Sequence, residues 1–191
     1  MHERRYHRPV ERLRDPERVG RLQVSRVVDL VLEGLQAGSA LDVGTGSGLF
    51  AEAFAAKGLR VGGVDAEAEM IRAAEGFVPG GAFKVGTAED LPFPAGEYDL
   101  VFLGLVLHET DDPFRALQEA GRVARLRVAA LEWPYRDAEF GPPLSDRLPE
   151  TRVREMAARA GLSALGPVDL GGVVLYRFDR INTQANLPRT A

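Results

Sequence analysis

The sequence predicts an α/β fold: a doubly wound sheet of seven strands, mostly parallel, with an antiparallel last strand. Three observations carry this expectation. Short apolar runs alternate with helical segments of about ten residues, the pattern of right-handed βαβ units. A three-glycine turn, "ALDVGTGSGLF" at 40–50, stands directly between the first strand and the next helix. Near the end, two strand-like runs are joined tightly around Gly171 and Gly172. That link is too short for a parallel crossover, which needs a dozen or more residues.

The elements follow in order. Residues 1–20 are dense in arginine (Arg4, Arg5, Arg8, Arg12, Arg14, Arg18), but Glu3, Glu11, Asp15 and Glu17 interrupt them. Mixed signs favour a solvated or capping helix over a nucleic-acid arm. "DPER" at 15–18 opens a helix, with Asp15 as N-cap and Pro16 in the first turn. Val24, Val27, Val28, Val31 and Leu32 recur at helical spacing, and Gly34 and Gly38 end that segment. Strands are expected at 39–43, 59–65, 82–86, 98–104 and 126–132, with helices at 49–57, 67–75 and 113–124 between them. A Pro/Gly-rich loop at 133–149 is long enough to suggest a functional lid. A helix at 150–160 is stopped by Gly161, strands at 163–170 and 172–179 close the domain, and 181–191 reads as a loose tail.

Composition narrows the function classes. A chain of 191 residues with 45% hydrophobic and 27% charged residues suits one globular domain. It has no cysteine, which removes disulfides, thiolate metal sites and cysteine nucleophiles. No apolar run approaches membrane-span length and the start lacks a signal-peptide core, so the expected location is the cytoplasm. A net charge of −4, with no separate basic recognition region, argues against a nucleic-acid partner.

The glycine turn is the main functional clue. In open α/β sheets, ligands sit beyond the carboxyl ends of the strands, where strand order reverses. A dinucleotide fingerprint needs a small residue at the position Leu49 occupies, and no Gly-Lys-Ser/Thr close makes a phosphate loop. Asp65 ends the second strand about twenty residues on, where a carboxylate can accept two hydrogen bonds from a ribose diol. Asp42, just before the turn, could orient an ammonium group, which favours a zwitterionic ligand over a pyrophosphate.

Four pieces in register, "ALDVGTGSG", "VGGVDAEAEMIRAA", "GTAEDLPFPAGEYDLVFLGLVLHE" and "DPFRALQEAGRV", resemble class I S-adenosylmethionine-dependent methyltransferases of the ubiquinone/menaquinone-biosynthesis-like, type 11 group. The resemblance implies a Rossmann-like fold, an N-terminal helical cap at 1–36 and a cofactor-binding domain at 37–180. It implies that Gly44, Thr45 and Gly46 pass the methionine part of the cofactor, with Asp42 near its amino group. Asp65 would bind the ribose, Ala66 and Met70 would border the adenine, and Ala88 would meet the adenine edge. Met70 could equally be a core residue. Leu103 and Gly104 would run beneath the methionine moiety. Two departures stand out. Thr87 occupies the place of a common aspartate, so Glu89, Asp90 or water would take its adenine contact. The usual Lys-Pro-Gly-Gly turn before the fifth strand is missing, which puts Glu132 and Trp133 in a shifted position.

The resemblance implies methyl transfer to a small molecule, with S-adenosylhomocysteine as product. Such an in-line displacement demands alignment and exclusion of water. With no clustered metal ligands, a metal-independent reaction is expected. His108 in "LVLHETDD" is the base candidate, the alternative being that it only hydrogen-bonds its loop; Glu109 is weaker. Trp133, Tyr135 and Phe140 could wall an acceptor pocket or pack the loop, and Tyr6 and His7 could reach the same cleft. Competing classes are a non-catalytic S-adenosylmethionine binder and, disfavoured by Leu49, a nicotinamide-dependent oxidoreductase.

Overall fold

The computed structural model describes residues 10–181. Tyr6, His7, the first arginines and all of the expected tail except Ile181 lie outside the described residues.

A 3-10 turn, Val10–Arg14, leads into α1 (Pro16–Leu22), whose N-cap Asp15 accepts from the backbone N–H groups of Glu17 and Arg18. The single helix expected from there to Leu32 is broken at Gln23, which adopts a left-handed backbone (φ 49). Its side-chain amide donates to the Leu170 carbonyl, so a tertiary contact holds a conformation that costs about 1–2 kcal/mol for an L-residue. After the break, α2 (Val24–Leu32) buries Val27, Val28 and Val31 in the core. Two arginines close its carboxyl end: Arg127 donates to the carbonyls of Val31 and Glu33, and Arg177 to that of Leu30. They meet carbonyls that a helix end leaves without partners.

The sheet comprises β1 (Ser39–Val43), β2 (Arg60–Asp65), β3 (Ala82–Val85), β4 (Tyr98–Gly104), β5 (Ala124–Glu132), β6 (Leu162–Ala164), β7 (Val168–Asp169) and β8 (Val174–Arg180). The order is β3-β2-β1-β4-β5-β8-β6, with β7 also pairing β8. Pairings among β1 to β5 are parallel, and β8 runs antiparallel to β5. The strand expected at 163–170 is instead two short ones, which makes eight. Gly166 turns the chain at φ +89 and Pro167 has no N–H for the ladder, so pairing lapses between them.

Helices α3 (Leu49–Ala56), α4 (Ala68–Phe77), α5 (Pro113–Val123) and α6 (Glu150–Arg159) cover the two faces. On one, Phe102 meets Phe50 and Phe54 at ring-centroid distances of 4.7 and 5.5 Å, alongside the valines of α2. On the other, Leu117, Val123, Val153 and Met156 pack on Val101 and Leu103. β1 and β4 are buried on both faces, as apolar parallel strands must be.

Two local features shape the upper edge. The missing turn leaves α5 running straight into β5, which keeps pairing as far as Glu132 against Val174. Between β3 and β4 there is no helix, and Arg122 organises the crossover. Its guanidinium donates to the carbonyls of Leu91 and Phe93, while Glu119 accepts from the Leu91 N–H. No described helix is long and apolar enough to cross a membrane.

Candidate active site

β1 lies between β2 and β4, where connections leave in opposite directions, and its carboxyl end opens a crevice. The glycine turn fills it. Gly44 takes φ +67, and a Cβ there would come within 2.5 Å of the Val106 side chain. At Gly46 (φ +52) a Cβ would meet Leu13 at 2.9 Å. Only glycine lets the chain pass so closely under both neighbours. The turn is tied to β2 twice: Thr45 N–H donates to the Val64 carbonyl at 2.9 Å and Gly46 N–H to Asp65 Oδ2 at 2.9 Å.

From the amino-terminal side the 3-10 turn clamps down on this loop. Arg14 donates to the Ser47 carbonyl and to Glu52, and its guanidinium stacks 3.5 Å over the Phe77 ring. Between clamp and strand ends lies a cavity of about 790 Å³. That volume falls within the range of small-ligand sites.

Of the sequence-expected cofactor residues, Gly44, Gly46, Asp65, Ala66 and Met70 line this cavity, as do Thr87, Ala88, Glu89 and Gly104. Asp65 Oδ1 accepts from the Glu67 N–H and Oδ2 from Gly46, which leaves each oxygen a further lone pair. Burial pushes the Asp65 carboxyl above its ordinary range, and the N–H donors of Glu67 and Gly46 oppose this. Thr87 bridges to Asp90, and the Glu89 carboxylate accepts from the Asp111 N–H at 3.0 Å.

Three expected cofactor residues stand elsewhere. Asp42 is 2% exposed and does not line the cavity: its Oδ2 takes the Thr45 hydroxyl at 2.8 Å and the Ala51 N–H at 3.2 Å, beneath the turn. Burial pushes its carboxyl up to about 7, against the lowering by Thr45 and Ala51. Thr45 is spent on that bond, and Leu103 is wholly buried in the sheet with its Cα opposite Val43.

Of the residues expected at the acceptor, His108 and Trp133 line the cavity. Tyr135 does not; it is half exposed on the outer side of its loop, while Phe140 supplies an aromatic wall with the Arg21 guanidinium 4.1 Å above its ring. His108 sits in a 3-10 turn, Leu107–Glu109, with Nδ1 2.7 Å from Glu132 Oε2. Burial lowers its basicity, but Glu132, then Glu109 and Asp146, outweigh this and raise its pKa above the ordinary value.

Sequence reasoning missed several residues. Leu105 lines the cavity with a left-handed backbone (φ 60), held by its N–H on the Leu131 carbonyl. Glu132 as the partner of His108 was missed too, although an acid ending an apolar strand, as Asp65 does, was a signal available in "ALEW". Arg12, Leu13, Arg18 and Arg21 line the mouth, and nothing local announces that their helix folds over the turn. Among the described residues, no group of three or more His, Asp or Glu could hold a metal ion.

A comparison with protein-family models matches residues 41–127 to a methyltransferase domain of type 11. This stretch, a little under half of the chain, is similar to a class I methyltransferase domain. Curated relatives include an uncharacterised methyltransferase, YcgJ, of Bacillus subtilis, 37% identical over 90 residues covering 44% of this chain and 36% of that protein. A demethylmenaquinone methyltransferase of Thermotoga maritima is 33% identical over 111 residues, 56% of this chain and 48% of its own. The chain therefore matches between about a third and a half of these relatives' length. An S-adenosylmethionine-dependent methyltransferase from Aquifex aeolicus has the same fold, with a TM-score of 0.77, 24% identity and coverage of 90% of this chain and 97% of that one. So does the [4+2]-cyclase SpnF, with a TM-score of 0.69, 19% identity and coverage of 82% of this chain and 80% of that one. A methyltransferase fold thus also carries other chemistry, and the reaction has to be argued from the site.

Proposed function

We propose that the protein transfers a methyl group from S-adenosylmethionine to a small molecule, in line and without a metal ion. The observation that carries this reading is Asp65, a carboxylate at the cavity wall with a free lone pair on each oxygen, bonded directly to the glycine turn. A ribose diol needs such an acceptor, and the Cβ-free passage at Gly44 suits a methionine chain lying against backbone. Ala66, Met70 and Ala88 supply an apolar slot for adenine, and Gly104 the floor under the sulfur. Bound there, the cofactor presents an electrophilic methyl group on sulfonium.

The chain's own residues then orient and dry the site. Leu105, Val106 and Trp133 border the space left for the acceptor, and the Phe140–Pro142 segment closes one side. His108 stands where it can take a proton from the acceptor. The net charge of −4 and the concave cavity suit a small acceptor.

Calorimetric titration tests the reading. S-adenosylmethionine and S-adenosylhomocysteine should bind and NADH should not. Asp65→Ala should weaken the first two by about 1.5–3 kcal/mol, the usual worth of a charge-assisted hydrogen bond. Binding of NADH alone, or undiminished affinity in the variant, would overturn it. Release of S-adenosylhomocysteine with an acceptor separates an enzyme from a mere binder.

A further inference from the structure

Glu132 is a carboxylate 1% exposed at the end of β5. Burying such a charge is costly unless it is fully bonded. It is bonded twice: Oε1 accepts from the Leu107 N–H at 2.8 Å, and Oε2 lies 2.7 Å from His108 Nδ1. An ionised carboxylate only accepts, so the imidazole proton sits on Nδ1. The other ring nitrogen has no such partner, for Glu109 Oε1 stands 3.8 Å from Nε2, beyond hydrogen-bond reach. His108 is itself 6% exposed, and the surface it keeps lines the cavity.

We propose that Glu132 is a positioning residue: it fixes the His108 proton on Nδ1 and presents a bare Nε2 to the cavity as the proton acceptor for an aromatic hydroxyl. This rests on the methyl-transfer reading above. A carbon nucleophile that is already electron-rich needs no base, and a thiol, with pKa about 8.5, ionises readily near neutral pH. A phenolic hydroxyl, near pKa 10, gains from a base in place. Trp133 and Phe140 on the same cavity provide the flat apolar walls that an aromatic ring needs.

The step balances. The acceptor's O–H bond breaks and its proton moves to Nε2. As the oxygen's electron pair bonds the methyl carbon, the carbon's bond to sulfur breaks with its pair left on sulfur. One positive charge disappears from the sulfonium and one appears on the imidazole, where Glu132 meets it across Nδ1. The charged groups that face His108 are Glu132 from β5, Glu109 from its own turn and Asp146 from the 3-10 turn Leu144–Asp146. All three favour the imidazolium.

Glu132→Gln separates positioning from mere support. Its carbonyl oxygen keeps the Leu107 N–H, so the turn is retained, while its NH₂ donates to Nδ1 and forces the proton onto Nε2. Nitrogen-15 spectra of the imidazoles, with His108→Asn to assign the signal, should show Nε2 unprotonated in the wild type at pH 8.5. In Glu132→Gln the tautomer should invert and the titration midpoint fall to lower pH. A protonated Nε2 in the wild type, or a variant with unchanged tautomer and midpoint, overturns the proposal. The hydroxyl assignment is read with 4-nitrophenol added to protein saturated with S-adenosylhomocysteine, at a pH where the free phenol is mostly neutral. A visible phenolate band that His108→Asn and Glu132→Gln abolish supports it; no band in the wild type overturns it. Failure of S-adenosylhomocysteine to bind in calorimetry would instead remove the methyl-transfer reading, and the tautomer result would stand apart from it.

Discussion

Asp42→Asn is expected to stabilise the fold at alkaline pH, its advantage over the wild type growing by up to about 4 kcal/mol between pH 4 and pH 8.5. The cause is burial. Asp42 is enclosed beneath the glycine turn, and desolvation pushes its carboxyl from 3.8 up to about 7 despite the Thr45 hydroxyl and the Ala51 N–H. Between those two values the native chain holds a proton that the unfolded chain has released. Stability from this group is therefore complete below pH 3.8 and is lost as pH rises through about 7. Asparagine does not titrate, and its carbonyl oxygen can accept both existing bonds. Urea unfolding of both proteins across this range checks the expectation; parallel stability profiles would refute it. Asp42 thereby anchors Thr45 and the first turn of α3.

What was legible in the sequence was local. The apolar strands, the Asp15 cap and the three-glycine turn each declare themselves within a few residues, and Asp65 is found by its place at a strand end. The direction in which a side chain points from β1 or β4 is another matter. Those strands are buried on both faces, so no polar–apolar alternation tells that Asp42 and Leu103 face away from the cavity. In the loop, the same blindness made Trp133 and Tyr135 equivalent, whereas one turns inward and the other out to solvent. Long-range pairs were also invisible: His108 with Glu132, 24 positions on, and Arg14 with Ser47, 33 positions on. Arg14 reads as surface charge until the fold brings its partner near, and His108, a base candidate in the sequence, gives no sign there of Glu132. The break at Gln23 has the same origin, because the bond that holds it comes from Leu170.

Arg147→Ala is expected to release the loop at 133–149 and cost about 3–5 kcal/mol, by removing a buried cation that organises it from within. Arg147 is 5% exposed, and its fork donates to four carbonyls of that one loop: Pro142 from Nε, Pro134 and Arg136 from Nη1, and Phe140 from Nη2. Such a stretch has few backbone partners of its own, so these bonds supply its order. They also set the cavity wall. Gly141 (φ +96) packs so closely on the indole that a Cβ would reach Trp133 at 2.7 Å, which seats Phe140, Gly141 and Pro142 along the cavity. Without the fork the four carbonyls return to water and the segment opens locally, ahead of global unfolding. Trp133 is the chain's one tryptophan, so its fluorescence reports this loop directly. The variant should emit at longer wavelength, be quenched more readily by acrylamide, and be cut by protease within 134–146 while the sheet and its covering helices resist. Arg147→Lys should restore little, since an ammonium cannot span carbonyls arranged for a planar fork. Unchanged emission and protease resistance in Arg147→Ala would mean that packing on Trp133 holds the wall without the arginine. On the proposed reading, in which Asp65 holds the ribose and the loop borders the acceptor, cofactor affinity should change far less than in Asp65→Ala.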